Sequence, residues 1–167
     1  MDVTQSSAGN TPHQLLARLS GAWAGAMRTW LEPDGQPVEA RIQGSVQQIL
    51  DGRFSLLLYQ STLQGEPLHG MFMFGYNTAR DRFEAIWIDS FHNNTAMMFC
   101  SGEGTEQGFW VTGSYPDPSG GPDWGWRTEV VLDEPERLVI TAYNISPEGG
   151  QSMAIMSDLR RLAGRSE

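Results

Sequence analysis

Between Thr11 and Gly21 the chain reads TPHQLLARLSG, and Leu15, Leu16 and Leu19 fall on one face at helical spacing. Thr11 is a good N-cap, Pro12 takes the first helical position where its missing N–H costs nothing, and Gln14 is placed to close a capping box. Ser20-Gly21 then stops a short helix. Beyond Gly21 the pattern turns strand-like and stays so. Turn signals such as EPDGQP, LDG, QGEP, NTARD, HNN, PDPSGGPD and SPEGG separate segments rich in Val, Ile, Phe, Tyr, Trp and Thr. These segments run to roughly 8–13 residues, the spacing of antiparallel hairpins. The fold class expected is therefore all-β, with about ten strands in up-and-down order and no crossover helix. So many sequential strands leave two long edges unless the sheet closes, which predicts a closed barrel with a short N-terminal capping helix. At about eight strands a barrel already holds a small ligand, so ten predict an internal cavity.

Composition narrows this picture. At 167 residues and 40% apolar content the chain supports one core, which gives a single domain over residues 11–163 behind a polar, disordered lead-in over residues 1–10. Eleven basic residues against 20 acidic ones leave a net charge of −9. Such a surface repels phosphate backbones and anionic lipid, which argues against nucleic acid and membrane partners and leaves a cationic or uncharged small molecule. One cysteine, Cys100, rules out an intrachain disulfide framework and points to a reducing compartment. With no basic and apolar leader at the start and no long apolar run, the expected location is cytoplasmic.

The candidate chemistry centres on FEAIWIDSFHN, residues 83–93. Arg82 and Glu84 mark the solvated face of this strand, so alternation turns Phe83, Ala85, Trp87 and Asp89 inward. A carboxylate there needs a partner, because an unanswered buried polar group costs roughly 2–7 kcal/mol. A three-residue loop at Thr78 to Arg80 would set His69 opposite Asp89 and Met71 opposite Trp87; a loop one residue longer or shorter reverses the faces. Asp89 is then an internal anchor for backbone N–H groups, a ligand contact or, with His69, a weak acid/base candidate. No metal site is expected, since His13, His69 and His92 show no ligand spacing and alternation sets His92 on the face opposite Asp89 unless the strand ends first. No cofactor is expected either; haem, with His69 or Met98 as axial ligand, is the alternative kept in view. No nucleophile motif appears, and Cys100 reads as a small hydrophobe. Trp87, Trp110, Trp124 and Trp126 with Met71, Met73, Met97 and Met98 read either as ordinary core content or as the wall that a flat or irregular apolar molecule requires. Asp123-Trp124-Gly125-Trp126 follows the longest Gly/Pro loop and suggests a lid at the rim. Tyr59 lies in RFSLLLYQS, where both faces are apolar and its direction stays open.

GAW at Gly21 to Trp23, after the short helix, resembles the Gly-x-Trp opening of lipocalin-type and calycin-type barrels. LDGRF, GEPLHGMFMFGYN, IWIDS and a last strand ending in arginine resemble a bacterial family of uncharacterised domains in that superfamily, over residues 13 to about 161. The chain departs from that family at Asn77, where an acid is common, and at Ser157, where an aromatic is common. The resemblance implies that Trp23 plugs one barrel end beneath Arg160 or Arg161. It implies no activity.

The function expected is binding or carriage of a small, largely apolar molecule, with Asp89, Trp87, His69, Met71, Tyr59, Met98, Trp110 and Trp126 as ligand contacts. Two alternatives stand beside it: a cofactor-free isomerase, cyclase or hydrolase using Asp89 and His69, and a structural or interaction module with a filled barrel. A homodimer stays open.

Overall fold

The computed structural model describes residues 11–164; the expected lead-in over residues 1–10 lies outside them. One helix, α1 (Pro12–Arg18), precedes ten strands: β1 (Gly21–Thr29), β2 (Val38–Ile49), β3 (Phe54–Leu63), β4 (Glu66–Asn77), β5 (Arg82–Asp89), β6 (Met98–Gly104), β7 (Gly108–Tyr115), β8 (Trp124–Glu134), β9 (Arg137–Ile145) and β10 (Gln151–Arg161). Each strand pairs antiparallel with its neighbours in sequence, and β1 pairs with β10 to close the barrel. No helix among the described residues is long and apolar enough to cross a membrane.

Helix α1 forms as its sequence dictates. Gln14 N–H donates to Thr11 Oγ1 at 3.2 Å, and Thr11 N–H donates to Gln14 Oε1 at 2.9 Å, which completes the capping box. Seven residues are too few to hold a helix alone, so its apolar face must be covered. Leu15, Leu16 and Leu19 are buried, and the Leu16 carbonyl accepts from Ser55 Oγ at 3.0 Å and Gln48 Nε2 at 3.2 Å. The helix thereby lies across the barrel end at which β2 turns into β3. Trp23 is fully buried at that end, donates Nε1–H to the Leu19 carbonyl at 2.8 Å, and carries the Arg161 guanidinium 4.2 Å above its ring. Arg161 also donates to the carbonyls of Arg18, Ser20 and Pro135. Gly21, at φ 135°, permits this passage: a Cβ there would meet Arg161 Nη1 at 2.6 Å. Arg160 points away, exposed, toward Glu134.

Two adjacent rows across β3 to β6 show how one step in register changes the environment. Leu57, Phe72, Trp87 and Met98 align across the four strands and face inward, all buried. The next row, Leu56, Met73, Ile86 and Phe99, faces outward, with Phe99 66% exposed; Leu58, Met71 and Ile88 form a second outer row. Both faces of these four strands are therefore apolar.

The interior is filled to a greater extent than the strand number predicts. Phe72 stacks on Phe74 at 5.1 Å and on Trp87 at 5.6 Å, Trp87 stacks on Trp126 at 4.9 Å, and Phe83 stacks on Phe109 at 4.4 Å. Each such pair adds about 0.5–1.5 kcal/mol beyond its area burial. What remains at the centre, between Tyr59, Trp87, Ile140 and Ser157, is a cavity of about 30 Å³, the room of a single water. Inward aromatics, rather than strand count, set the free volume.

Candidate functional site

A larger space than the central cavity lies at the end away from α1. There a pocket of about 360 Å³ opens between the β5–β6 connection (residues 90–97) and the β7–β8 connection (residues 116–123). Trp87, Trp126, Tyr115 and His92 form its aromatic wall, and Met97, Met98, Pro116 and Pro118 its aliphatic part. Trp87 borders both this pocket and the small central cavity, so its indole is the partition between them.

Asp89, the last residue of β5, lies beneath the lining residue His92, with its side chain 1% exposed. Its Oδ1 accepts backbone N–H groups from Phe91 at 3.0 Å, His92, and Asn93 at 3.3 Å, and its Oδ2 lies 2.5 Å from His92 Nδ1. A carboxylate is acceptor-only, so the His92 proton resides on Nδ1 and Nε2 is left for the pocket. The side chain thus winds the chain into a turn and locks the imidazole against Trp87 and Trp126, at ring separations of 5.5 and 5.7 Å. The buried acid is answered by its own turn.

Tyr59 points inward. Its Oη accepts Trp87 Nε1–H at 2.9 Å, and its ring covers Gly70, where a Cβ would come within 2.0 Å of Cζ. Burial above all, then the Asp89 carboxylate, push the Tyr59 phenol far above its ordinary value, against the lowering effect of the Trp87 bond. Tyr115 donates to Asn144 Oδ1 at 2.5 Å, and burial with the Asp117 charge raises its phenol too. Cys100 is buried on the inner face, and burial pushes its thiol up to about 12, which fits a packing residue.

Two polar atoms in the mouth lack partners: Trp126 Nε1 and Asn93 Oδ1. Asn93 is oriented by its Nδ2, which donates to the Trp87 carbonyl at 3.2 Å, so its oxygen is the atom left over. An orphaned buried donor or acceptor costs about 1–3 kcal/mol.

Three expected contacts lie elsewhere. The β4–β5 loop has four residues, since Asn77 pairs with Arg82, and Asp81 takes a left-handed φ of 54° to close it. Register therefore sets Gly70, not His69, opposite Asp89, and Phe72, not Met71, opposite Trp87. His69 is exposed beside Gln60, and Met71 lies in an outer row, so neither reaches the mouth and His69 cannot serve as an internal axial ligand. Trp110 is also outside the barrel, under the Arg127 guanidinium at 4.7 Å. Trp87, Met98 and Trp126 line the mouth, Asp89 lies beneath its lining residue His92, and Tyr59, whose direction the sequence left open, lines the central cavity on the other side of Trp87. His92 takes the place assigned to His69, because β5 ends at Asp89 and the following turn escapes alternation. The DSFHN sequence carried that signal: an Asp at a strand end followed by turn residues bonds its own backbone. Among the described residues no group of three or more His, Cys, Asp or Glu is placed to hold a metal ion.

The model of a family described as protein of unknown function, DUF1579, matches residues 9–161. No curated protein is significantly similar to the chain. Among solved structures, the S-type phycobiliprotein lyase of Guillardia theta is similar at a TM-score of 0.62 and 11% identity, over 91% of this chain and 93% of its own. Rv2717c of M. tuberculosis is similar at a TM-score of 0.59 and 14% identity, over 92% of this chain and 99% of its own. At such identities the likeness is one of fold.

Proposed function

Because the chain belongs to the DUF1579 family, whose function is unknown, membership brings no activity with it, and we propose from the geometry that this barrel binds a small, flat, largely apolar molecule in its mouth. The observation that carries the reading is the pocket of about 360 Å³ walled by Trp87, Trp126 and Tyr115, beside a centre too small for anything but water. Flat hydrophobic molecules gain most from such walls, and a few fixed polar atoms suffice to orient them. The use of a similar barrel by a phycobiliprotein lyase supports a working site over an inert core, but 11% identity carries no residue across.

The six tryptophans make the test specific to place. In ¹H–¹⁵N spectra of the indole groups, titration with a panel of planar apolar molecules is expected to shift Trp87 and Trp126 and leave Trp23 unmoved. If no panel member moves the mouth indoles, and denaturing extraction of the purified protein releases no small molecule, the reading is wrong.

A second reading draws on the Asp89–His92 pair. With Nδ1 held by a carboxylate, Nε2 is oriented to take a proton from a bound molecule, the arrangement of a general base. A ligand with an acidic C–H would then exchange it for deuterium in D₂O on the protein, and the exchange would stop in His92→Gln. Equal exchange in that variant removes the catalytic reading and leaves the binding one.

A further inference from the structure

We propose that the mouth selects cations: its ligand is a flat, nitrogen-containing aromatic or hydrophobic molecule bearing positive charge. The proposal rests on the reading of the mouth as a binding site and adds the sign of what enters it.

The basic residues of the barrel are sorted by end, while acids occur at both: the α1 end carries Asp51, Asp81, Glu103, Glu106, Asp133, Glu134 and Glu136 among its arginines. The connections at the mouth span residues 30–37, 64–65, 90–97, 116–123 and 146–150, and their ionisable carboxylic and basic residues are Glu32, Asp34, Asp117, Asp123 and Glu148, with no Arg or Lys among them. Glu66 opens β4 at the same end, and Asp89 closes β5 beneath the lining residue His92. The arginines collect at the α1 end, as Arg18, Arg53, Arg80, Arg82, Arg137, Arg160 and Arg161. Three arginines stand on mouth-side strand segments: Arg28 bonds Glu39 at 2.8 Å, Arg127 pairs with Glu129 at 2.9 Å while lying on Trp110 outside the barrel, and Arg41 is exposed on the outer face of β2, away from the pocket. A cleft with low-dielectric walls and charges of one sign around its rim focuses that field inward.

The field reaches the pocket wall. Asp117 lies between the lining residues Pro116 and Pro118; hydrogen bonds from Ser119 hold its carboxyl below the ordinary range, and its charge raises the Tyr115 phenol. The aromatic faces act in the same sense, since a π-system presents negative charge to a cation over its ring. Asp89 is 1% exposed and engaged by three N–H groups and His92, so a ligand does not touch it directly; the attraction is a field effect and falls with salt. The unpartnered Asn93 Oδ1 accepts and Trp126 Nε1 donates, which suits a ligand with an N–H and a lone pair. Both atoms are buried, so engaging them requires a small outward shift of the turn after Asp89.

Three probes of one shape separate charge from fit: 9-aminoacridine, a cation at neutral pH; acridine, neutral; and acridine-9-carboxylate, an anion. At low ionic strength the cation is expected to bind on the order of tenfold tighter than the anion, with acridine between, and the gap to narrow at about 0.5 M salt. Asp117→Asn with Asp123→Asn should close most of the gap without changing acridine affinity, while Glu106→Gln at the far end should leave it intact. An anion that binds as tightly as the cation overturns the proposal alone, as does a cation preference that Glu106→Gln weakens as much as the mouth pair does. Binding by none of the three overturns the mouth-binding reading and this one with it.

Discussion

Replacing Trp23 by alanine is expected to lower the unfolding free energy by about 3–5 kcal/mol, the loss typical of a large aromatic removed from a packed core. The side chain is fully buried, its indole N–H closes the C-terminal end of α1 at the Leu19 carbonyl, and Arg161 lies over its ring. Alanine therefore removes a plug, a helix cap and a cation–π face together. Arg161→Ala should be destabilising as well, because the carbonyls of Arg18, Ser20 and Pro135 lose their donor, whereas Arg160→Ala should barely move the transition. Urea unfolding reads all three. Since the mouth is at the opposite end, mouth indole shifts with ligand should survive in any variant that folds. A loss under about 1 kcal/mol for Trp23→Ala would show that the plug is dispensable.

The helix and barrel were readable because each rests on local chemistry. Thr11, Pro12 and Gln14 specify a helix start whatever the rest of the chain does, and the Gly, Pro, Asn and Asp clusters punctuate the strands in hairpin order. The choice between Arg160 and Arg161 was not readable, because β10 carries a register shift between Met153 and Ile155. Ser152 and Ile155 share the inner face across that bulge, so counting by alternation from the turn reaches the wrong parity by the end of the strand. Occupancy of the interior also escaped the pattern. Strand number fixes a barrel's girth, but the stacking of Phe72, Phe74, Trp87 and Trp126 is a matter of packing that no spacing rule states.

At the site, alternation placed Asp89 and Trp87 correctly and failed one hairpin earlier. A single extra loop residue, Asp81, moved His69 and Met71 outside, and hydrophobicity gave no warning because Met71, Met73, Ile86 and Ile88 on the outer face are as apolar as Phe72, Phe74 and Trp87 on the inner. Where both faces of a strand are apolar, register is decided by the loop. His92 was reachable only through turn chemistry, since a residue beyond the end of a strand is free to fold back over it. The absence of arginine from the connections at the mouth needed the closed topology, which gathers alternate connections into one rim.

Asp89 is where the turn chemistry and the pocket depend on one side chain. Asp89→Ala is expected to cost about 1–3 kcal/mol, because the N–H groups of Phe91, His92 and Asn93 lose their acceptor but can recover water if the turn lifts. That lifting is the larger effect. His92 would leave Trp87 and Trp126, the mouth would lose one wall, and planar ligands would bind at least about tenfold more weakly, the equivalent of 1.4 kcal/mol. Asp89→Asn separates the two roles. Its carbonyl still accepts the backbone N–H groups, so the turn stays, while its NH₂ faces His92 Nδ1 and stabilises the tautomer with the proton on Nε2. Amide exchange at residues 91–93 should thus accelerate in the alanine variant and stay slow in the asparagine one, with ¹⁵N shifts of the His92 ring reporting the switch in tautomer. Unchanged exchange at residues 91–93 in Asp89→Ala would mean that these amides are protected by something other than the carboxylate, and the anchoring of the mouth by Asp89 would fall.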